Sequence, residues 1–189
     1  MHATEPLDNT IELAEGNLTL RPWRETDAPA LLAAVHEAAT AVGRWLPWCR
    51  ADYTAQDAAS WIAQCQAGWR CAEAFAFALV AADCGDVLGG AGLSQRSQRH
   101  RCANLGYWVR PSWQRKGVAS SAARRVARFG FDRLGLIRIE IVILPDNAAS
   151  RATAAAIGAQ FESIARQRVW SREQAQDAAV YSLLPTDLK

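Results

Sequence analysis

From Gln114 to Ser120 the chain reads Gln-Arg-Lys-Gly-Val-Ala-Ser, so two basic residues stand directly before a glycine, and a stretch suited to a helix follows. A helix N-terminus presents unpaired N–H groups and about half a positive charge, and a glycine there lets an anion approach the backbone closely. With Arg115 and Lys116 beside Gly117, the local chemistry is that of a phosphate or pyrophosphate cradle. The pattern is not a nucleotide P-loop, because Lys116 precedes the glycine and no second glycine lies at the required distance, and it is not G-x-G-x-x-G. On local chemistry alone, a turn glycine with solvated basic neighbours fits equally well.

Other residue types with chemical potential are excluded or weakened by their spacing. Cys49, Cys65, Cys71, Cys84 and Cys102 are odd in number and form no C-x-x-C pair, so neither a disulfide framework nor a zinc site is expected. Lone cysteines such as Cys49 and Cys102 read as small buried hydrophobes. A net charge of +2 from 21 basic and 19 acidic residues argues against a general nucleic-acid binder, which needs a clustered basic face. The first seventeen residues carry acids and no long apolar run, so no signal peptide and no membrane span is expected, and a reducing cytoplasm fits the cysteines.

The elements that must hold the cradle follow from periodicity. Residues 17–23 alternate as a strand, and residues 24–39 read as a helix with Thr26 or Asp27 as N-cap and Leu31, Leu32 and Val35 inward. Residues 43–54 are aromatic, broken by Pro47, and read as a loop, followed by a helix from Ala55 to about Arg70. A hairpin turning at Asp83 to Asp86 comes next. Then come a strand at 104–110, a helix over 120–134, a strand at 138–144, a helix from 147 ending at a capping Gly158, and strands at 161–170 and 178–184. With half its residues hydrophobic and no linker, the chain is expected to be a single domain over 1–189, with a mixed sheet and helices on both faces.

Gln114 to Ala119 fits the Q/R-x-x-G-x-G/A pyrophosphate loop of the GNAT superfamily of acetyl-CoA-dependent N-acetyltransferases, with Ala119 in the last place. Residues 106–113, Gly-Tyr-Trp-Val-Arg-Pro-Ser-Trp, resemble that superfamily's central strand, and residues 145–161 resemble the strand end and helix that follow. Residues 44–48, Arg-Trp-Leu-Pro-Trp, and 177–183, Asp-Ala-Ala-Val-Tyr-Ser-Leu, are similar to the branch that includes the ribosomal-protein N-terminal acetyltransferases. The resemblance covers about Leu18 to Leu184.

This resemblance implies an α/β fold with a mixed, mostly antiparallel sheet splayed at the central strand. It implies that the amides of Gln114, Arg115, Lys116, Gly117, Val118 and Ala119 hold the CoA pyrophosphate, with a hydroxyl from Ser120. The backbone of Trp108 and Val109 would pair with the pantetheine arm like an added strand, the Val109 amide polarising the acyl oxygen. As a side chain, Trp108 reads as a core aromatic. Asn147 would touch the same arm, cap the next helix, or do both.

Ser150 takes the place of the Ser that the ribosomal-protein branch uses beside the departing thiolate, while Ala154 stands where many members carry a Tyr; a capping role also suits Ser150. Asn104 stands where many relatives have a Glu, and Val169 where some have their acid, so no strong base is expected, with Glu73 and His100 unsupported alternatives. Glu140 reads as half of a structural ion pair, and His36 as a helix-exterior residue.

Without a base, a low-pKa amine is the fitting acceptor, since at neutral pH roughly a tenth of α-amines but well under a thousandth of lysines is uncharged. Trp45, Trp48 and Tyr53 either line the acceptor pocket or close the core between the first helices, and Asn104 is counted with Trp45 and Trp48 as a candidate for that pocket. The implied reaction moves acetyl directly from acetyl-CoA to a primary amine on a protein N-terminus or on a small molecule such as an amino acid, polyamine or antibiotic. Metal, membrane and nucleic acid are not expected as partners, and a homodimer is left open. The rival readings are a non-catalytic CoA-binding module and an anion or nucleic-acid surface built on Arg124, Arg125 and Arg128.

Overall fold

The structure, a computed structural model, describes residues 11–188. The reading of the N-terminal residues as free of a leader reaches into residues 1–10, which lie outside the described residues. Strands β1 (Leu13–Glu15) and β2 (Leu18–Pro22) form a hairpin, followed by helices α1 (Ala28–Ala38) and α2 (Ala55–Arg70). The meander β3 (Phe75–Ala81), β4 (Val87–Ser97) and β5 (Cys102–Val109) leads through α3 (Val118–Asp132) into β6 (Arg138–Ile143). Then come α4 (Ala148–Ala156), β7 (Gln160–Ser171) and β8 (Gln174–Leu183). The sheet runs β1-β2-β3-β4-β5-β6-β8-β7, antiparallel except for the β5–β6 pair. This is the mixed, mostly antiparallel architecture expected, with β1 added and the last strand inserted inside the sheet.

Period-two alternation divides the core between the two faces. On β3, Phe75, Phe77 and Leu79 join Val126 and Phe129 of α3, Ala154 of α4 and Ile157 just after it, whereas Ala78 and Val80 join Leu31 and Val35 of α1 and Ile62 of α2. Trp69, near the end of α2, reaches the first of these clusters, edge-on to Phe75 and Phe77 at ring distances of 5.0 and 5.1 Å.

Local signals set the helix ends. Thr54 and Asp57 form a reciprocal box at the start of α2, the Thr54 hydroxyl accepting from the Asp57 amide and the Asp57 carboxylate from the Thr54 amide. At α1 the expected side-chain cap is not made. A short 3₁₀ turn over Glu25–Asp27 precedes the helix, and Asp27 is turned inward. There it accepts two bonds from the Arg21 guanidinium at 2.7 and 2.8 Å and one from the Arg24 amide. Burial works to raise the Asp27 pKa, but Arg21 and the Arg24 amide outweigh it and hold the carboxyl below its usual range. At the end of α4, Ile157 is the last right-handed residue and Gly158 follows with φ of +99°.

Candidate active site

β5 and β6 are paired only through Cys102, Ala103 and Asn104, opposite Arg138, Ile139 and Glu140. Beyond Asn104, β5 continues to Val109 against β4 alone, and β6 continues to Ile143 against β8 alone, so the sheet splays. The Arg110 amide donates to the Leu88 carbonyl across to β4. Strand alternation therefore turns the Trp108 main chain towards β4 and the Tyr107 and Val109 main-chain groups into the gap, so the free edge lies at Tyr107 and Val109 and not, as the sequence suggested, at Trp108 and Val109. A strand edge with no neighbouring strand inside the body of a protein is a place for an extended ligand to pair.

At the end of β5 the chain enters the basic loop. Gln114 folds back, its side-chain amide donating to the Val109 carbonyl at 2.9 Å. Arg115 and Gly117 both take left-handed backbone, with φ of +60° and +75°. A β-carbon added to Gly117 would meet no atom within 4 Å, so the glycine is needed for its dihedral and not for packing. Helix α3 starts immediately after it, and Ser121 is the first residue whose amide closes a turn, on the Gly117 carbonyl. The amides of Val118, Ala119 and Ser120 precede any intrahelical partner, and Ser120 Oγ is held on the Gly117 carbonyl at 3.0 Å. Lys116 lies over the Trp113 ring with its ammonium 4.5 Å from the centroid.

Across the gap, Asn147 caps α4, its Oδ1 accepting from the Ser150 amide at 3.1 Å. Ser150 Oγ donates to the Tyr107 hydroxyl oxygen at 3.2 Å, and the Tyr107 hydroxyl donates to the Ser150 carbonyl at 2.9 Å. Burial, only partly countered by the Ser150 hydrogen bond, pushes the Tyr107 hydroxyl up to about 12. Tyr107 is therefore neutral at physiological pH and keeps its proton. Sequence reasoning missed this residue; the signal available was period-two alternation, which sets Tyr107 opposite in sense to Trp108 and so on the α4 side of the strand.

One cavity of about 1310 Å³ runs through the gap. On one side of the sheet it is lined by Gln114, Gly117, Ser120, Asn147, Ser150 and Thr153, and on the other by Trp45, Trp48, Trp61, Trp108, Val169 and Trp170.

Residues 17–160 match the model of the acetyltransferase (GNAT) domain. The chain belongs to the GNAT acetyltransferase family. It is 35% identical to the uncharacterized N-acetyltransferase YoaA of Bacillus subtilis (strain 168) over 102 residues, which are 54% of this chain and 58% of that relative. The chain spans just over half the length of the curated relatives it matches. Among solved structures, a Vibrio cholerae protein provisionally described as a ribosomal-protein-serine acetyltransferase superposes with a TM-score of 0.84 at 26% identity, covering 95% of this chain and all of that one. RimL, the ribosomal L7/L12 α-N-protein acetyltransferase solved in complex with coenzyme A, shares the fold at a TM-score of 0.82 and 19% identity, over 90% of this chain and 95% of its own.

Within the GNAT fold, several expected residues fall elsewhere than the sequence placed them. Asn104 does not line the cavity among the described residues: it sits at the last β5–β6 rung, opposite Glu140, with Oδ1 buried and unpartnered. Trp48 does not close the core, being 39% exposed on the cavity wall, whereas Tyr53 is buried with α1 and α2. Trp108 is more than a core aromatic, since its ring meets Trp48 edge-on at 5.5 Å beside the cavity. Of the three arginines considered for a basic surface on α3, Arg125 is buried and donates to the Leu18 and Leu13 carbonyls, Arg124 reaches the Ala156 carbonyl, and Arg128 is exposed.

Glu140 is ion-paired with Arg138 at 3.0 Å, and His36 is exposed on α1 with Nε2 2.7 Å from the Tyr53 carbonyl oxygen. Among the described residues, Glu73 is the only carboxylate lining the cavity, and His100 lies in the β4–β5 loop outside it. Cys49 and Cys102 are also absent from its wall, and burial pushes the Cys49 thiol up to about 11. No group of His, Cys, Asp and Glu gathers to hold a metal among the described residues, and no helix there is long and apolar enough to cross a membrane. A residue not foreseen is Glu37 of α1, which pairs with Arg110 and accepts from the Ser112 amide at 2.8 Å, fixing the exit of β5 into the basic loop.

Proposed function

We propose that the chain is a single acetyl-CoA-dependent N-acetyltransferase domain whose acceptor is the α-amine of a polypeptide. The observation that carries the reading is the splayed gap. A free strand edge leads from the N-terminus of α3 to a second groove on the opposite face of the sheet, so two substrates can meet end to end in one cavity. The residues present fit the co-substrate. The unpaired amides at 118–120, with Arg115 beside them, suit a pyrophosphate, and the edge of β5 at Tyr107 and Val109 suits the two amides of a pantetheine arm. When bound, acetyl-CoA supplies an activated acetyl thioester.

In this reading Val109 N–H donates to the acyl oxygen as negative charge develops there. The Ser150 and Tyr107 hydroxyls stand together on the far side of the gap, and one of them donates the proton that the departing sulfur takes up. The acceptor nitrogen loses its proton to water, since Val169 and Asn104 offer no carboxylate and Glu73 is exposed. An acceptor already uncharged in a useful fraction, an α-amine, is the one this site can use. Holding both substrates in line contributes on the order of 7–11 kcal/mol to the lowering of the barrier. The likeness to ribosomal-protein acetyltransferases supports a polypeptide acceptor.

Thiol release from acetyl-CoA, measured at pH 7 against N-terminal peptides and against the same peptides with only a lysine amine free, tests the reading. Faster turnover of α-amines, reduced in Ser150→Ala, is the expected result. Tight CoA binding without turnover of any amine would overturn it in favour of a non-catalytic module.

A further inference from the structure

Every tryptophan of the chain except Trp69 lines the cavity. On the side opposite the basic loop, Trp48 and Trp61 stack with an interplanar angle of 10°, Trp108 stands edge-on to Trp48, and Trp170 of β7 lines the same cavity. Trp48, Trp61 and Trp170 are 39%, 44% and 74% exposed, so the free protein leaves large aromatic surfaces in water. The β7–β8 turn that follows Trp170 is tied to the loop before α2, where Arg172 donates to the Arg44 carbonyl at 3.0 Å, next to Trp45. Apolar surface gathered in a concave site, and not scattered, marks a place where something apolar docks.

The charges around this groove decide what that is. Among the described residues, Glu73 is its only acidic lining residue, and the only basic residue on the whole cavity wall, Arg115, belongs to the loop that opens α3. A free amino acid would bring a carboxylate to a groove wall whose described lining residues carry no cation, the Arg44 guanidinium over Trp45 standing outside that lining. A polyamine or aminoglycoside would bring several ammonium groups to one exposed carboxylate. An acidic peptide would lay its charges on indole rings, which favour cations over anions. What remains compatible is a single amine attached to a bulky uncharged group.

Resting on the reading of this cavity as the acceptor side of an acetyltransferase, we infer that the acceptor is a polypeptide N-terminus whose leading side chain is aromatic or large and apolar, and that the tryptophan groove selects it. The side chain lies against Trp48, Trp108 and Trp170, while the α-amine points through the gap towards Val109. Since the one carboxylate of the groove, Glu73, is exposed to water, selection comes from burying the side chain and not from raising the reactivity of the amine.

The test uses the full chain and peptides identical after the first residue, beginning with Phe, Leu, Ala, Ser or Glu, with spermidine and phenethylamine as further arms. The expected result is that Phe- and Leu-initial peptides give kcat/KM at least about tenfold above the Ala-, Ser- and Glu-initial ones, the factor that burying a large apolar side chain supplies. In Trp170→Ala, which alters an exposed side chain, KM for the Phe peptide should rise about tenfold while KM for acetyl-CoA stays within about twofold. Preference for Ser-, Ala- or Glu-initial peptides, for spermidine or for phenethylamine would overturn the inference and leave the acetyltransferase reading standing. Bound acetyl-CoA with no turnover of any Phe- or Leu-initial peptide would overturn the inference too. Failure to bind acetyl-CoA by calorimetry would instead remove the reading on which it rests.

Discussion

Gly117 and Gly85 form a natural pair for separating backbone strain from ligand binding. Gly85, in the β3–β4 turn, has φ of +76°, and Gly117 has φ of +75°; a β-carbon added at either meets no atom within 4 Å. An alanine forced into left-handed backbone costs about 1–2 kcal/mol, and with no clash to add, both variants should lose about that much. For a chain of this size each kcal/mol lowers Tm by roughly 2–4 °C. The functional consequences should diverge. The Gly117 methyl group would stand over the loop whose amides are unpaired, whereas the Gly85 methyl would stand over a turn that has no part in the cavity. Loss of one charge-assisted hydrogen bond to a pyrophosphate, about 1.5–3 kcal/mol, weakens binding roughly ten- to hundredfold. Calorimetric titration of CoA into Gly117→Ala and Gly85→Ala, with urea unfolding in parallel, reads both quantities. Equal loss of stability with a selective loss of CoA affinity at Gly117 is expected. If the two variants bound CoA alike, the assignment of this loop to the pyrophosphate would be wrong.

Two further outcomes follow from the same geometry. Tyr107→Phe leaves the ring in place but deprives Ser150 Oγ of its acceptor, so kcat should fall about tenfold or more with KM for acetyl-CoA nearly unchanged. An unchanged kcat would show that the hydroxyl pair is structural only. Burial pushes the Cys65 thiol and the Tyr53 hydroxyl up to about 12. Groups raised in the fold retain their protons there and lose them when unfolded, so stability is fully present below the unfolded thiol value near 8.5 and declines as pH climbs towards 12. Each such group contributes a slope of up to about 1.4 kcal/mol per pH unit, and urea midpoints between pH 8 and 10.5 should fall less steeply in Cys65→Ala than in the unaltered chain. Identical steepness in the two proteins would contradict the burial argument.

Much of the architecture was legible because it rests on local physics. Helix α2 falls on the residues expected because its ends depend on a few neighbours, and Asp83 to Asp86 turns the hairpin because the flanking runs pair with each other. The basic loop at 114–120 was legible for the same reason: a glycine with left-handed backbone ahead of a helix is a property of seven consecutive residues. Asp27 escaped because its partner, Arg21, lies on a strand, and a pairing between residues of different elements leaves no mark in the local pattern that predicts a cap.

By itself, then, the sequence determined the alternation of strands and helices, the basic loop with its glycine at the start of a helix, the absence of a carboxylate at Asn104 and Val169, and the family. Only the tertiary structure decided which hydroxyls and rings meet. Ser150 and Tyr107 are 43 residues apart and touch because α4 packs beside the gap that β5 leaves open. Tryptophans 48, 61, 108 and 170 come from a loop, a helix and two strands and share one groove. Arg125 was set for a basic surface by its residue type, yet α3 lies with that side chain buried against the β1–β2 end of the sheet. Periodicity states which face of an element is buried, but it carries no information about which distant element buries it. That choice is made by packing the two faces of the sheet at once, with nearly all buried polar groups satisfied.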